Sequence, residues 1–126
     1  MVRKTNCLIA ILLFIILPST IFAQAPEILS VNLVAENYFD APDITAKIIV
    51  THAKNITAIH INGKARDIAP AKTFFFDVPL ALRHGENQLL IDAMDESGAK
   101  AQKIYLLHFG SAEEVAQWRA EQETEA

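Results

Sequence analysis

The sequence predicts an all-β domain, an antiparallel sandwich of about seven short strands. Apolar residues recur at every second position far more often than at the 3.6-residue period of a helix. Turn-forming residues interrupt the apolar runs at short intervals, most clearly at Asn62-Gly63 and at 95–98, where the sequence is Asp-Glu-Ser-Gly. No helical crossover separates the runs, so an antiparallel arrangement is expected.

The first four predicted strands follow the apolar runs in the first half of the chain. They span 28–34, 44–50, 56–61 and, as a short return after the Asn62-Gly63 turn, 66–68. A long loop is expected between the first two strands, and it contains the aromatic pair Tyr38 and Phe39. Alternation along the second strand places one set of residues on a single face: Ile44, Ala46, Ile48 and Val50.

The fifth predicted strand, 73–78, contains three consecutive phenylalanines. Phe74 and Phe76 are expected to face the core together with Val78. Because side chains alternate along a strand, Phe75 must point to the other side of the sheet. Two alternatives remain for Phe75: the C-terminal tail covers it, or it forms an exposed patch for a partner.

The last two predicted strands form a hairpin around the turn at 95–98. Gly85 precedes the first of them, in which Leu89, Ile91 and Ala93 share the inward face. The second is the apolar run 104–107.

Three stretches together resemble bacterial immunoglobulin-like modules of the glucodextranase type and the cadherin-like type. They are Ile59-His60-Ile61-Asn62-Gly63, Phe74-x-Phe76-x-Val78-x-Leu80, and the Gly85–Gly98 hairpin. The resemblance covers 26–109 and implies an antiparallel immunoglobulin-like β-sandwich, which is a scaffold and not a reaction. The chain differs from antibody-type domains because this region has neither a cysteine pair nor a core tryptophan.

Residues 1–25 are typical of a secretory signal peptide. Arg3 and Lys4 precede an unbroken apolar run at 8–17, and Ala23-Gln24-Ala25 has small residues at the spacing of a cleavage site. We therefore expect a periplasmic or secreted protein. The alternative is an uncleaved N-terminal anchor, which would be its only association with a membrane. Cys7, the single cysteine, lies in this segment, so the mature domain would have no disulfide.

Residues 110–126 form an acidic tail that is predicted to be a short helix. Ser111 and Glu114 have the spacing of a capping box, and Val115 and Trp118 share one helical face. A helix of this length is marginal in isolation, so it needs a surface to pack on.

The charge excludes some classes of partner. The chain has 11 basic and 15 acidic residues, a formal net charge of −4, and no basic cluster in the mature part. Nucleic acid and anionic membrane surfaces are therefore not expected as ligands.

No constellation of residues indicates an enzyme, a cofactor or a metal centre. The four histidines form no metal-ligand motif, and His52 and His60 are expected on different strands or on a strand and its loop. No nucleophile elbow is present. The carboxylates around Asp40 and around Asp95 are interpreted as solvated turn residues, with a calcium site as the alternative.

Four residues are candidates for binding a partner: Tyr38, Phe39, Phe75 and Trp118. Exposed aromatic rings beside polar groups stack on sugars or anchor proteins, whereas Tyr38 or Phe39 could instead close the end of the sandwich. We therefore expect an exported, non-catalytic binding or scaffold module for a macromolecular partner, a protein or a glycan of the cell envelope. The alternative is a carbohydrate-binding accessory domain.

Overall fold

The computed structural model describes residues 24–125, so most of the predicted signal peptide, residues 1–23, lies outside the described residues. These described residues are mostly β-structure, with one helix at their C-terminal end. The elements are β1 (Glu27–Ser30), β2 (Glu36–Phe39), β3 (Asp43–Ile61), β4 (Lys64–Ala65), β5 (Ala71–Ala81), β6 (Gly85–Asp95), β7 (Lys100–Phe109) and α1 (Ala112–Glu125). Within residues 24–125, no helix is long and apolar enough to cross a membrane.

All seven strands belong to one mixed sheet that curls into a half-barrel. Its continuous path is β1-β3-β6-β7-β2, and β4 and β5 also pair with β3. Every pair is antiparallel except β2 with β7, which run parallel from Glu36 beside Leu106 to Phe39 beside Phe109. The all-β prediction is confirmed, and the expectation of a purely antiparallel arrangement is wrong at β2.

Strand β3 is 19 residues long and includes both the second and the third predicted strands. Its first half pairs with β1 and β5, and its second half pairs with β6 and β4. The register with β5 shifts between Thr51 and Ile56, and the pairing with β6 begins at Ile56. No Gly or Pro lies between these two positions, so nothing breaks the extended backbone. His52 and His60 consequently lie on the same strand, contrary to the prediction.

The first predicted strand is interrupted by a local side-chain hydrogen bond. The Ser30 hydroxyl accepts the amide N–H of Leu33 at 3.0 Å, which turns the chain after β1. Asn37 then accepts the amide N–H of Val34 at 2.9 Å and donates to the carbonyl of Leu106 at 3.1 Å. These bonds fix the start of β2 against β7. Tyr38 and Phe39 therefore lie on a strand and not in the predicted loop.

The core lies inside the curled sheet and is built from alternating residues of every long strand. Leu89, Ile91 and Ala93 are almost fully buried on β6, which confirms the predicted inward face of that strand. On β5, Phe76 and Val78 are buried and Phe74 packs against the core, as predicted. The short return strand forms at β4, and 66–68 has no regular structure.

Candidate functional site

Helix α1 begins with the predicted capping box. The Ser111 amide donates to Glu114 Oε1 at 3.0 Å, and the Glu114 amide donates to Ser111 Oγ at 3.1 Å. His84 Nε2 lies 3.0 Å from both carboxylate oxygens of Glu114. The hydrogen bond from His84, together with the Ser111 amide, lowers the pKa of Glu114 below its usual value. The start of the helix is thus attached to the loop before β6.

An aromatic groove of about 330 Å³ lies between α1 and the β2–β7 pair. The residues that line the aromatic groove are Glu36, Tyr38, His108, Trp118, Glu121 and Gln122. Tyr38 stacks on His108, with ring centroids 4.9 Å apart and an interplanar angle of 14°. The ring of Trp118 lies 5.8 Å from that of Tyr38 and 5.9 Å from that of His108. Two of the four predicted site residues, Tyr38 and Trp118, therefore meet at one place.

Strand register explains why Tyr38 and Phe39 have different environments. Tyr38 lies beside His108 in the parallel pair, and Phe39 lies beside Phe109. Because side chains alternate, Tyr38 and His108 point outward toward α1, whereas Phe39 and Phe109 pack against the core. Phe39 therefore fits the alternative interpretation of the Tyr38–Phe39 pair, in which one of the two rings packs against the core instead of binding a partner.

Polar side chains hold the aromatic groove together. Glu36 Oε1 is 2.9 Å from His108 Nε2, so the two strands are also joined by their side chains. Gln122 Nε2 donates to the Tyr38 hydroxyl, which connects the second half of α1 to β2. Sequence reasoning did not find Glu36, His108, Glu121 or Gln122. The spacing of Glu36 and Tyr38, two positions apart, could have placed both side chains on one face. That spacing indicates a shared face only once 36–39 is known to be a strand.

The third predicted site residue, Phe75, lies on a separate apolar surface, the Phe75 patch. It lies on the outer face of the sheet and consists of Leu29 on β1, Val31 just after β1, Ile49 on β3 and Phe75 on β5. Leu29 and Phe75 are both in register with Ile49, so the three side chains form one row across three strands. Phe75 is 74% exposed, Val31 68% and Leu29 42%. Helix α1 packs on β2 instead, so the tail does not cover Phe75.

A buried pair of ionisable side chains joins β3 to the turn after β6. His52 Nε2 is 2.8 Å from Asp95 Oδ2, and both side chains are almost fully buried. Asp95 Oδ1 accepts the Ser97 hydroxyl at 2.6 Å, the Ser97 amide at 2.8 Å and the Ala99 amide at 3.0 Å. The expectation that Asp95 is a solvated turn residue is therefore wrong.

Hydrogen bonding keeps Asp95 ionised despite its burial. The Ser97 hydroxyl has the largest effect and lowers the pKa of Asp95 far below its ordinary value. Burial opposes this change, while the Ala99 amide, His52 and the Ser97 amide act in the same direction as the hydroxyl. The sequence Asp-x-Ser-Gly at 95–98 is typical of a turn in which the aspartate side chain accepts hydrogen bonds from the turn itself, and it was the signal for these contacts of Asp95.

Ser97, Asp95 and His52 do not form a nucleophilic triad. The Ser97 hydroxyl donates to the aspartate, whereas a nucleophilic serine must be hydrogen-bonded to the histidine that takes its proton. Among residues 24–125, no group of three or more His, Cys, Asp or Glu side chains is placed to hold a metal ion. The hydrogen bonds among His52, Asp95 and Ser97 accordingly connect β3 to the turn between β6 and β7.

A larger shallow cleft, of about 650 Å³, lies on the outer face where β3, β6 and β7 meet. His60, Asp92 and Gln102 are neighbours across these strands and line the cleft. Asp92 accepts a hydrogen bond of 2.8 Å from Gln102 Nε2. No residue of this cleft was predicted to bind a partner, and His60 was expected to face outward, as it does.

Comparison with known proteins identifies no family for the chain. No protein-family model matches the sequence, and no curated protein matches it. Among solved structures, the chain is similar to part of an FMN-binding beta-glucuronidase from Facaelibacterium prausnitzii L2-6, with a TM-score of 0.40 and 20% sequence identity. The match covers 71% of this chain and 13% of that one, so the chain spans only a small part of the enzyme's length.

Proposed function

We propose that the chain is an exported, non-catalytic binding or scaffold module whose partner is another protein of the cell envelope. The observation that carries this proposal is the Phe75 patch. Soluble domains expose single apolar side chains routinely, but a contiguous apolar row is typical of a surface that another molecule covers. Here the row continues across three paired strands, and its most exposed member is an aromatic residue.

The composition of the Phe75 patch suits a protein partner. Burial of apolar surface contributes about 25 cal/mol per Å², and aromatic residues are enriched at the centres of protein interfaces. The ion pair of Lys47 with Asp77, at 3.7 Å, borders the apolar row on the same face. An apolar centre beside exposed charges is the usual anatomy of a protein–protein interface.

The proposed scaffold is an immunoglobulin-like sandwich. In support, β1 and β5 flank the first half of β3, while β6 continues from its second half to β7 and β2. The change of partners between Thr51 and Ile56 is where one strand would pass from one sheet to the other. The first sheet would present the Phe75 patch, and the second would carry the aromatic groove.

Export is the second part of the proposal and rests on the sequence of residues 1–25. A charged start, an apolar run and a small-residue triplet favour removal of this segment during secretion. The acidic balance of the chain agrees with a partner other than nucleic acid.

Photo-crosslinking in living cells tests the proposed docking surface. A photoreactive phenylalanine analogue would replace Phe75 in one variant and Ile104, an apolar residue of β7 that is 46% exposed, in the matched control. Light should attach a discrete protein to position 75 and not to position 104. Crosslinking at neither position, or at position 104 alone, would contradict the proposal.

A carbohydrate-binding accessory domain is the second candidate. It is favoured by one observation, the Tyr38 and Trp118 rings beside the polar side chains of the aromatic groove. Aromatic rings next to hydrogen-bonding groups are suited to the apolar faces and hydroxyls of sugars. Titration with neutral oligosaccharides, followed by the fluorescence of Trp118, tests this candidate directly.

A further inference from the structure

The residues that line the aromatic groove include two carboxylates, one histidine and neither lysine nor arginine. Glu36 lies on β2 and Glu121 on α1, and both line the same space as Tyr38 and Trp118. Glu36 contacts His108 through Oε1, which leaves Oε2 to accept from a ligand. Glu121 is exposed and, within the described part of the chain, forms no ion pair.

The rings of the aromatic groove add to the attraction for a positive charge. The face of an indole or phenol ring carries negative electrostatic potential, and it attracts an ammonium or guanidinium group within about 6 Å of the ring centre. The ring centroids of Trp118 and Tyr38 lie 5.8 Å apart, and both residues are only partly buried. A cation held in the aromatic groove would therefore lie near these two rings and the two carboxylates together.

The same geometry is less suited to a neutral sugar. His108 lies parallel to Tyr38 at 4.9 Å and covers one face of that ring. A sugar stacks on an open ring face, whereas a small cation needs only part of a face and a nearby carboxylate. Glu121, which forms no ion pair among residues 24–125, would also gain no positive partner from a neutral ligand.

We propose that the aromatic groove binds the ammonium or guanidinium group of a Lys or Arg side chain that the partner protein presents. The inference rests on the proposed function in one respect, namely that the partner is a protein. Glu36 and Glu121 supply the charge complementarity, and Tyr38 and Trp118 supply the ring faces. The Phe75 patch and the groove would then be two separate contacts with the same class of ligand.

Fluorescence titration with small probes tests this inference on the purified mature chain. Trp118 is the only tryptophan, so a ligand in the aromatic groove changes a single emission band. The probes are N-acetyl-lysine amide and N-acetyl-arginine amide at low salt, with N-acetyl-glutamine amide as the neutral comparison. We expect saturable changes with the two cations at high probe concentration, and weakening of both at high salt.

Two charge-neutralising variants separate the aromatic groove from general electrostatic attraction. Glu121→Gln removes a carboxylate of the groove, and Glu113→Gln removes an exposed carboxylate of the same helix outside it. Both change the net charge equally. Glu121→Gln should weaken binding of the lysine probe about two- to fivefold, while Glu113→Gln should leave it unchanged.

Three outcomes would overturn the inference: no response to either cationic probe, equal responses in the two variants, or an equal response to the glutamine probe. A response to neutral oligosaccharides alone would likewise overturn it and favour the carbohydrate candidate. If the probes fail while position 75 still crosslinks to a protein, this inference fails and the proposed function stands. If the probes bind and position 75 does not crosslink, the cation site of the aromatic groove stands and the Phe75 patch fails as the docking surface.

Discussion

The indole ring of Trp118 lies directly against the backbone of Gly110. A Cβ atom added at Gly110 would be 2.7 Å from Cη2 of the indole and 3.1 Å from Cζ3. Real Cβ atoms essentially never approach another atom to 2.7 Å, so glycine lets α1 return this near to the end of β7. Because Trp118 also contacts Tyr38 and His108, Gly110 sets the geometry of the aromatic groove.

Gly110→Ala should displace Trp118 without unfolding the sheet. Gly110 does not have the positive φ of the turn glycines, so its backbone accepts alanine and the added methyl group acts on the ring. We expect a red shift of the tryptophan emission as the indole becomes more exposed. Gly63→Ala is the control, because nothing lies within 4 Å of its Cβ and only its φ of +81° is strained. An unchanged spectrum in Gly110→Ala would show that α1 packs elsewhere.

Ile91→Ala should destabilise the domain strongly. Ile91 is fully buried in β6 between Leu89 and Ala93, and loss of such a side chain typically costs about 2–5 kcal/mol. Ile104→Ala, on the outer face of the neighbouring strand, should change the free energy of unfolding by less than about 1 kcal/mol. Urea denaturation measures both. Equal effects of the two substitutions would mean that the register of β6 with β7 is wrong.

Asp95→Asn should destabilise the domain in a pH-dependent manner. The pKa of Asp95 is lowered in the folded state, so its contribution to stability is present above the ordinary aspartate pKa of about 3.9. That contribution is lost as the pH falls toward the folded-state pKa. The difference in unfolding free energy between the native protein and Asp95→Asn should therefore be largest near neutral pH and should shrink below about pH 4.

Asp92→Asn is the matched control for the pH experiment. Asp92 lies three residues earlier on the same strand, is only partly buried, and accepts one hydrogen bond from Gln102. Its replacement should have a smaller effect at every pH. If the two variants have the same pH profile, the hydrogen bonds that Ser97, Ala99 and His52 form with Asp95 do not contribute as the geometry requires.

Export predicts a specific mature mass. Cleavage after Ala25 would remove Arg3, Lys4 and Cys7 and leave every strand of the sheet intact. Intact-mass spectrometry of the protein recovered from the envelope or the medium checks this. A species that keeps Arg3 and Lys4 would instead favour an N-terminal anchor.

Alternation along the strands made much of the sheet predictable from sequence. The inward faces of β5 and β6, the turn glycines and the capping box of α1 are local features, since each depends on residues within a few positions of one another. The position of Phe75 on the outer face of its sheet followed from the same alternation. The exposed fraction of Phe75 could not be predicted from that alternation, because it depends on where α1 packs.

Features that depend on distant pairing could not be predicted. The 36–39 segment has no strong strand pattern, and it becomes a strand because Asn37 and the edge of β7 supply its hydrogen bonds. The same is true of the pair between His52 and Asp95, which are 43 positions apart. Trp118 and Tyr38 were each selected as site residues, but their meeting required the parallel β2–β7 pair and the close approach at Gly110.

The central claim, that another protein covers the Phe75 patch in the cell envelope, is tested most directly by the accessibility of position 75 in place. Phe75→Cys would be made in a Cys7→Ser background, so that it is the only cysteine, with Ile104→Cys as the matched variant. A small hydrophilic thiol reagent is then applied to the purified protein and to the intact envelope fraction. We expect position 75 to react rapidly when purified and slowly in the envelope, and position 104 to react alike in both. Equal rates at position 75 in the two preparations would contradict the account.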